Sequence, residues 1–167
     1  MDKKKEQKAD KAANQTVETL FQIFGEFDSA EEINLAAAGL KEEGDIEGLG
    51  TLAKENGLDA DEVEMYLAGE TEELTDVLGA AIGKLMVEKE HENNILVDDI
   101  VDYLMANCED EKMARAVRKK GKRTMKAAEL VANEAKKHKI NIPGGGTCNY
   151  CGPMKGYQII RNYYVRN

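Results

Sequence analysis

Apolar residues recur at helical spacing along most of the chain. A first amphipathic helix is predicted to end near Glu26, because four apolar residues before it follow the i, i+3, i+4, i+7 pattern. These residues are Val17, Leu20, Phe21 and Phe24. No segment shows the strict alternation that is typical of a strand, and the stretch from Pro143 to Pro153 is predicted to be an irregular loop. The pattern therefore predicts an all-α, multi-helix protein.

Turn and capping residues divide the segment between residues 28 and 69 into three short helices. An acidic residue that can accept a backbone N–H begins each helix, and a glycine that tolerates positive φ ends it. The predicted starts are Asp28 (with Glu31), Asp45 and Asp59 (with Glu62), and the predicted ends are Gly44, Gly57 and Gly69. We therefore expect short helices joined by tight turns.

A longer helix is predicted from about Thr71, where apolar residues form a core stripe of several turns. The stripe consists of Leu74, Leu78, Ala81, Ile82 and Leu85. Gly79 and Gly83 lie on one side of this helix, where another helix could approach closely. The pattern pauses at residues 92–94. We therefore predict a disordered tail over residues 1–13, an acidic helical lobe over residues 14–92 and a basic helical lobe over residues 95–167.

The segment Leu49–Leu67 has the spacing of a helix-turn-helix but the wrong charge for DNA. Ala53 stands at the predicted crossing, Gly57 at the turn and Val63 where the second helix needs an apolar anchor. The helix that would enter a major groove begins with carboxylates instead of the basic and amide side chains that contact bases and phosphates. These carboxylates are Asp59, Asp61, Glu62 and Glu64. DNA would repel this surface, so we predict that it binds a protein.

Charge is divided unevenly along the chain, whose formal net charge is −9. Residues 26–76 contain 17 Asp and Glu against two Lys, whereas residues 112–139 contain 11 Lys and Arg against two Glu. Such asymmetry is typical of a charged interaction surface, of two lobes that attract each other, or of solvated helix faces. The carboxylates predicted to bind a partner therefore also include Glu42, Glu43, Asp45 and Glu47.

A basic stretch allows three interpretations. Its cations are Arg118, Lys119, Lys120, Lys122 and Arg123. They could contact nucleic-acid phosphates, pair internally with the acidic lobe, or lie on a solvated face. The negative net charge disfavours free DNA as the main ligand.

A lone CxxC motif, Cys148 to Cys151, also allows three interpretations. A structural zinc site needs four nitrogen or sulfur ligands, for which His138 and the distant Cys108 are the further candidates. A redox motif would follow a strand and begin a helix. We favour two loop thiols, and we expect no metal, no cofactor and no catalytic residues.

The start of the chain is basic but lacks the apolar stretch of a signal peptide. No apolar run approaches the roughly 18–20 residues of a membrane span. We therefore expect a cytoplasmic protein without membrane contact, whose cysteines are thiols rather than disulfides.

The chain from about Ile95 to Tyr164 resembles a known family. Three stretches carry the resemblance: ILVDDIVDYLMANCEDEKMARAV, KRTMKAAELVANEAKKHK and KGYQIIRNYYV. They are similar to the C-terminal part of the PcfK-like proteins from mobile elements of gut Firmicutes and Bacteroidetes. The stretch FGEFDSAEEINLAAAGLKEEGDIEGLGTLAKENG resembles a module attached to such domains in proteins of phages and conjugative elements.

The PcfK-like grouping includes inhibitors of the type II CRISPR effector nuclease, so the resemblance implies a non-enzymatic anti-CRISPR function. The implied partner is that nuclease with its guide RNA, in the cytoplasm of a bacterial host. Such a nuclease holds nucleic acid in a positively charged channel, so the carboxylates would act as a DNA mimic that blocks DNA binding or cleavage. The alternative is a DNA-associated accessory protein of a phage or conjugative element, with weak DNA or RNA contact through the basic stretch.

Overall fold

The computed structural model describes residues 20–166 of the chain. Eight helices and one two-stranded hairpin lie within this range. The helices are α1 (Ala30–Glu43), α2 (Ile46–Glu55), α3 (Ala60–Ala68), α4 (Val77–His91), α5 (Ile95–Asn107), α6 (Glu111–Arg118), α7 (Thr124–Ala135) and α8 (Pro153–Val165). The strands β1 (Lys139–Asn141) and β2 (Thr147–Asn149) lie between α7 and α8. The all-α, multi-helix prediction is confirmed. Among residues 20–166, every helix is too short or too polar to traverse a lipid bilayer.

The first hydrophobic core lies between α1, α2, α3 and the start of α4. Ile33 of α1 and Leu49 and Leu52 of α2 are completely buried in it. Lys41 extends from the end of α1 across α3, where its Nζ donates to the Tyr66 carbonyl oxygen at 2.6 Å and lies 4.1 Å from the centre of the Tyr66 ring. The three short helices therefore form one packed unit.

The second hydrophobic core lies between α4, α5, α6, α7 and α8. Leu85, Leu104 and Met113 are almost completely buried in it, and each comes from a different helix. Tyr103 of α5 stacks on Tyr157 of α8 with ring centres 4.3 Å apart. Helix α8 therefore packs against α5 at the edge of this core.

Helix α4 contributes to both cores. Ala80 belongs to the first core, whereas Ala81 and Leu85 belong to the second. The predicted boundary at residues 92–94 coincides with the break between α4 and α5, but the division between the cores falls within α4. The predicted tail over residues 1–13 lies outside the described residues.

Local capping chemistry explains most helix ends in the first lobe. Gly44 and Gly69 adopt φ values of 73° and 76° at the ends of α1 and α3, as predicted. Asp45 caps α2 by accepting the Gly48 N–H at 2.8 Å. The start of α1 is shifted by one residue, because Ser29 is the N-cap and Glu32, not Glu31, accepts the Asp28 N–H at 2.7 Å.

Two predicted helix boundaries are wrong, and in both places distant side chains bind the backbone. Residues 17–19 of the predicted first helix lie outside the described residues, Leu20 is helical, and residues 21–26 are not helical. There the Glu55 carboxylate accepts the N–H groups of Ile23 and Phe24 at 2.8 and 3.1 Å. Helix α4 begins at Val77 instead of Thr71, because the Asn34 side chain exchanges two hydrogen bonds with the Thr75 backbone.

A β-hairpin occupies the segment that we predicted to be free of strands. Ile140 pairs with Cys148 in an antiparallel register, and the three glycines of the connecting turn, residues 144–146, adopt positive φ. Both strands are largely exposed. Alternating hydrophobicity is typical of a strand with one buried face. Neither strand of this hairpin has a buried face, so its sequence does not alternate.

Candidate functional site

The residues that predicted a helix-turn-helix take the expected places in α2 and α3. Ala53 is buried at the crossing, Gly57 adopts a φ of 69° in the turn, and Val63 is buried on α3. Helix α4 packs directly on the turn, because a Cβ atom on Gly83 would overlap the Asn56 carbonyl oxygen. The close approach at this glycine is therefore made to the turn between α2 and α3, and not to another helix as predicted.

Four carboxylates lie at the start of α3. Asp59 and Glu62 form a capping box, in which the Glu62 carboxylate accepts the Asp59 N–H at 2.7 Å. Asp61 and Glu64 are exposed, and Glu62 is half-buried. Glu62 therefore stabilises the start of the helix, while Asp61 and Glu64 are free to face a partner.

The second group of carboxylates lies at the turn between α1 and α2. Glu42, Glu43, Asp45 and Glu47 are all exposed. Helix α2 has ten residues and so separates this group from the start of α3 by about 15 Å. We define the acidic surface as these four residues together with Asp59, Asp61, Glu62 and Glu64. None of its eight carboxylates forms an ion pair with another residue in the range 20–166.

A groove between α2 and α3 lies beside these carboxylates. It has a volume of about 490 Å³, and Ile46, Leu58, Val63 and Leu67 form its apolar part. Asp59 and Glu64 also line it. The side chain of Ile46 is 51% exposed. Lys54 is the one basic residue among the described residues of its lining. The α2–α3 face therefore combines apolar area with predominantly negative charge.

The basic stretch divides into buried and exposed cations. Arg118 and Arg123 are only 1% and 7% exposed, which removes both from any exposed nucleic-acid contact. Lys119 and Lys120 are exposed, and Lys122 is half-buried, with its Nζ donating to the Tyr163 carbonyl oxygen at 2.7 Å. The internal-pairing interpretation thus fits Arg123, which binds Glu26. Arg118 is buried too, but its Nη2 donates to the uncharged Asn56 side chain, and a surface contact with nucleic-acid phosphates can use only the lysines.

Arg123 belongs to a buried ionic cluster that joins the two cores. We define this cluster as Glu26, Lys84, Glu88, Arg118 and Arg123. The Arg123 guanidinium binds the Glu26 carboxylate through Nη1 at 2.5 Å and Nη2 at 2.8 Å. Lys84 Nζ lies 2.8 Å from the same carboxylate. Glu88 accepts the N–H and the hydroxyl of Thr124 at 2.8 and 2.7 Å.

The pKa values of the cluster reflect burial and charge together. Burial opposes the charge on Glu26, but Arg123 and Lys84 outweigh it and lower the pKa of this carboxyl below its usual value. Burial lowers the pKa of Lys84 to about 8, although Glu88 and Glu26 oppose that shift. Burial likewise lowers the pKa of Arg118 to about 10. Partners thus outweigh burial at Glu26 and also at Arg123, whose pKa is raised, whereas burial dominates at Lys84 and Arg118.

Sequence reasoning missed this cluster, although α4 carried a signal for it. Lys84 and Glu88 lie on the same helix face as Ala81 and Leu85, since these positions follow the i, i+3, i+4, i+7 spacing. Charged residues on a core stripe are rarely buried unless they are paired. Their partners on other elements could not be identified from α4 alone.

The candidate zinc ligands lie on or beside the hairpin. Cys148 and Cys151 are half-buried free thiols, and the exposed His138 lies 3.6 Å from Glu134. Cys108 is buried in the second core, where burial raises the pKa of its thiol to about 11. Cys108 is therefore packed away from the surface. Within residues 20–166, no three His, Cys, Asp or Glu side chains are grouped as metal ligands.

No family model, curated protein or solved structure matches this chain.

Proposed function

We propose that this chain is a non-enzymatic inhibitor that binds the type II CRISPR effector nuclease through its acidic surface. The observation that carries the proposal is the set of carboxylates without an ion-pair partner among the described residues, on a packed helix-turn-helix-like unit. The PcfK-like resemblance of the C-terminal sequence supplies the identity of the partner.

The acidic surface would bind the positively charged site that the partner uses for nucleic acid. An RNA-guided nuclease holds its heteroduplex in a positively charged channel and reads its short adjacent motif with arginines. Asp61 and Glu64 present negative charge at the start of α3, beside the apolar groove. A surface with these two features can occupy a basic site and exclude DNA from it. Complementary charge of this kind raises association rates and specificity more than affinity.

The test is a binding measurement with charge-reversed variants. Asp61→Lys with Glu64→Lys should weaken binding to the nuclease–guide complex by at least tenfold. Glu62 stays unchanged, because its carboxylate completes the capping box. A matched control is Asp99→Lys with Glu109→Lys, which makes the same charge change on exposed residues of the other lobe. This control should retain wild-type affinity.

Salt gives a second readout of the same contact. Wild-type affinity should fall as ionic strength rises, since salt screens the attraction between exposed charges, most strongly beyond a Debye length of about 8 Å at physiological salt. The Asp61/Glu64 variant should show a shallower dependence. Equal affinity of both variants for the nuclease would contradict the proposed contact surface.

A DNA-associated accessory role is the second candidate, and the exposure of Lys119 and Lys120 favours it. A gel shift with duplex DNA tests this role, because phosphate contacts bind tightly and are sensitive to salt. Under this alternative, Lys119→Glu with Lys120→Glu abolishes the shift. Under the inhibitor proposal, the same variant still binds the nuclease.

A further inference from the structure

The groove between α2 and α3 adjoins a second groove on α4. This second groove has a volume of about 410 Å³ and lies between α4 and the turn that joins α2 to α3. Lys54, Leu58 and Asp59 line both grooves. Ile82 and Met86 form the apolar part of the second groove, and Met86 is 38% exposed. Apolar surface therefore continues from the α2–α3 groove past the turn and onto α4.

A glycine leaves the α2 side of the α2–α3 groove open. Gly50 lines the groove within α2, and a Cβ atom built on it would meet no other atom within 4 Å. The exposed Ile46 lies four residues earlier, on the same face of the helix. Leu58 and Val63 also line the groove and are buried, so they form its floor. A partner can thus approach the α2 backbone at Gly50 and place apolar side chains against Ile46 and this floor.

The charges that line the two grooves are mostly negative. Asp59, Glu62, Glu64 and Glu90 contribute carboxylates, and Lys54 is the one basic residue among the described residues that line them. None of these five side chains forms an ion pair with another residue in the range 20–166. Lys54 lies in the last turn of α2, where the partial negative charge of the helix end balances it. A partner of complementary charge is therefore basic.

The chemistry of the groove selects one class of partner. Nucleic acid and anionic lipid are repelled by the carboxylates, and a second copy of this face would present the same carboxylates. An extended peptide binds by pairing its main chain with an exposed sheet edge, but α2, α3 and α4 satisfy most of their main-chain groups internally. A helix brings its own satisfied main chain, and its apolar face can lie in a groove of this kind.

We propose that the α2–α3 groove binds a basic amphipathic helix of a partner protein. Its apolar stripe would contact Ile46 and Val63, and the lysines or arginines beside the stripe would face Asp59 and Glu64. The lining of α2 from Ile46 to Lys54 is about 12 Å long, which corresponds to about two helical turns. The inference deepens the proposed function and rests on it for the identity of the partner, since the nuclease would supply this helix.

Two synthetic peptides of leucine and lysine test the groove without the nuclease. In the first, the leucines form one stripe of a helix, and in the second, leucine and lysine alternate, so that the leucines form one face of a strand. Both peptides have the same composition and charge. Fluorescence anisotropy at physiological salt should show that the full chain binds the helical peptide at least about tenfold more tightly. Equal binding would mean charge attraction alone, tighter binding of the alternating peptide would mean an extended partner, and either result would overturn the proposal.

Two helical glycines provide a matched pair of variants without a change in charge. Gly50→Leu places a side chain in the groove and should weaken binding of the helical peptide about tenfold, as overpacking does. Gly39→Leu on α1 is the control, because a Cβ atom there also meets no other atom within 4 Å. Leucine favours a helix at both positions. Wild-type affinity of Gly50→Leu would overturn the proposal.

A second matched pair keeps the proposal falsifiable if Gly50→Leu does not fold. Ile46 is the first residue of α2, Ile95 is the first residue of α5, and their side chains are 51% and 81% exposed. Ile46→Ala should weaken binding of the helical peptide about fivefold, because apolar contact area is lost. Ile95→Ala should leave it unchanged. Equal effects of the two substitutions would overturn the proposal.

The same variants separate this inference from the proposed function. Gly50→Leu should also weaken binding to the nuclease–guide complex about tenfold. If Asp61→Lys with Glu64→Lys loses nuclease binding but Gly50→Leu keeps it, the helix is overturned and the proposed function stands. If the wild-type chain binds the helical peptide through the groove but does not bind the nuclease, the proposed function fails and the groove is supported.

Sedimentation velocity tests whether a second copy of this chain occupies the groove. The wild-type chain and Gly50→Leu should have the same oligomeric state. A wild-type dimer that Gly50→Leu abolishes would identify a second copy as the occupant and would overturn the proposal.

Discussion

At the residue scale, the basic stretch shows that neighbours of the same charge can have opposite roles. Arg118 and Arg123 are buried, whereas Lys119 and Lys120 are exposed. The planar guanidinium of Arg123 binds both oxygens of Glu26, a geometry that lysine cannot reproduce. Side-chain type alone does not predict burial, since Lys84 is also buried and Arg115 is exposed. The partner of Arg123 lies 97 residues away in the sequence and could not be inferred from it.

Glu26→Gln should destabilise the protein strongly. The variant removes the negative charge that compensates Lys84 and Arg123, and breaking a buried ion pair on one side costs about 3–5 kcal/mol. Urea unfolding followed by circular dichroism measures the loss. Glu31→Gln is the control, because it breaks an ion pair to Arg115 that is exposed on both sides. Solvent screens that pair, so its loss should be far smaller.

The pH dependence of the free energy of unfolding, compared between wild type and Glu26→Gln, tests whether the charge of Glu26 causes this loss. The pKa of Glu26 is lower in the folded state than the usual 4.5. Its charge therefore contributes stability above pH 4.5, and this contribution is lost as the pH falls through the folded-state pKa. The free energy difference between wild type and Glu26→Gln should shrink below pH 4.5. A constant difference, or a loss no larger than that of Glu31→Gln, would contradict the role of the carboxylate charge.

At the element scale, the sequence predicted what local chemistry determines. The ends at Gly44 and Gly69 and the caps at Asp45 and Asp59 depend on contacts within a few residues, and all four are confirmed. The start of α4 was missed, because it depends on Asn34, which lies 41 residues from the Thr75 backbone that it binds. The acidic residues of the candidate site could be identified because charge is readable in sequence, whereas the buried ionic cluster is assembled only in the folded chain.

Gly83→Ala should destabilise the protein even though alanine favours a helix. The new methyl group would overlap the Asn56 carbonyl oxygen, so α4 would have to move away from the turn between α2 and α3. We expect a loss of about 1–3 kcal/mol, as for other overpacked sites. Thermal unfolding of the purified variant measures it.

Gly39→Ala provides the matched control on α1. A Cβ atom there meets no other atom within 4 Å. The substitution should therefore stabilise the helix by about 0.5–1 kcal/mol. Stabilisation by Gly83→Ala of the same size would show that α4 does not contact the turn closely.

At the scale of the whole molecule, some of the opposite charges on the two lobes pair with each other. Arg123 binds Glu26 across the buried ionic cluster, and Arg115 binds Glu31 at the surface. Helix α4 contributes to both hydrophobic cores. The acidic and basic lobes are therefore joined in one structure, although their charges form two separate blocks in the sequence.

Unfolding should therefore be a single cooperative transition. Urea titrations followed by far-ultraviolet circular dichroism and by tyrosine fluorescence should give the same transition. Helix α4 packs in both cores, so its unfolding would expose apolar residues of both at once. Tyr66 reports on the first core, and Tyr164 reports on the second. Two separate transitions would show that the lobes unfold independently.

The most direct test of the central claim is competition for DNA on the nuclease–guide complex. Saturating amounts of the wild-type chain should prevent target DNA from binding, as measured by fluorescence anisotropy of labelled DNA. The Asp61→Lys, Glu64→Lys variant should fail to compete, and the Asp99→Lys, Glu109→Lys control should compete as well as wild type. Undiminished DNA binding in the presence of saturating wild-type chain would contradict the claim that the acidic surface occupies a nucleic-acid site.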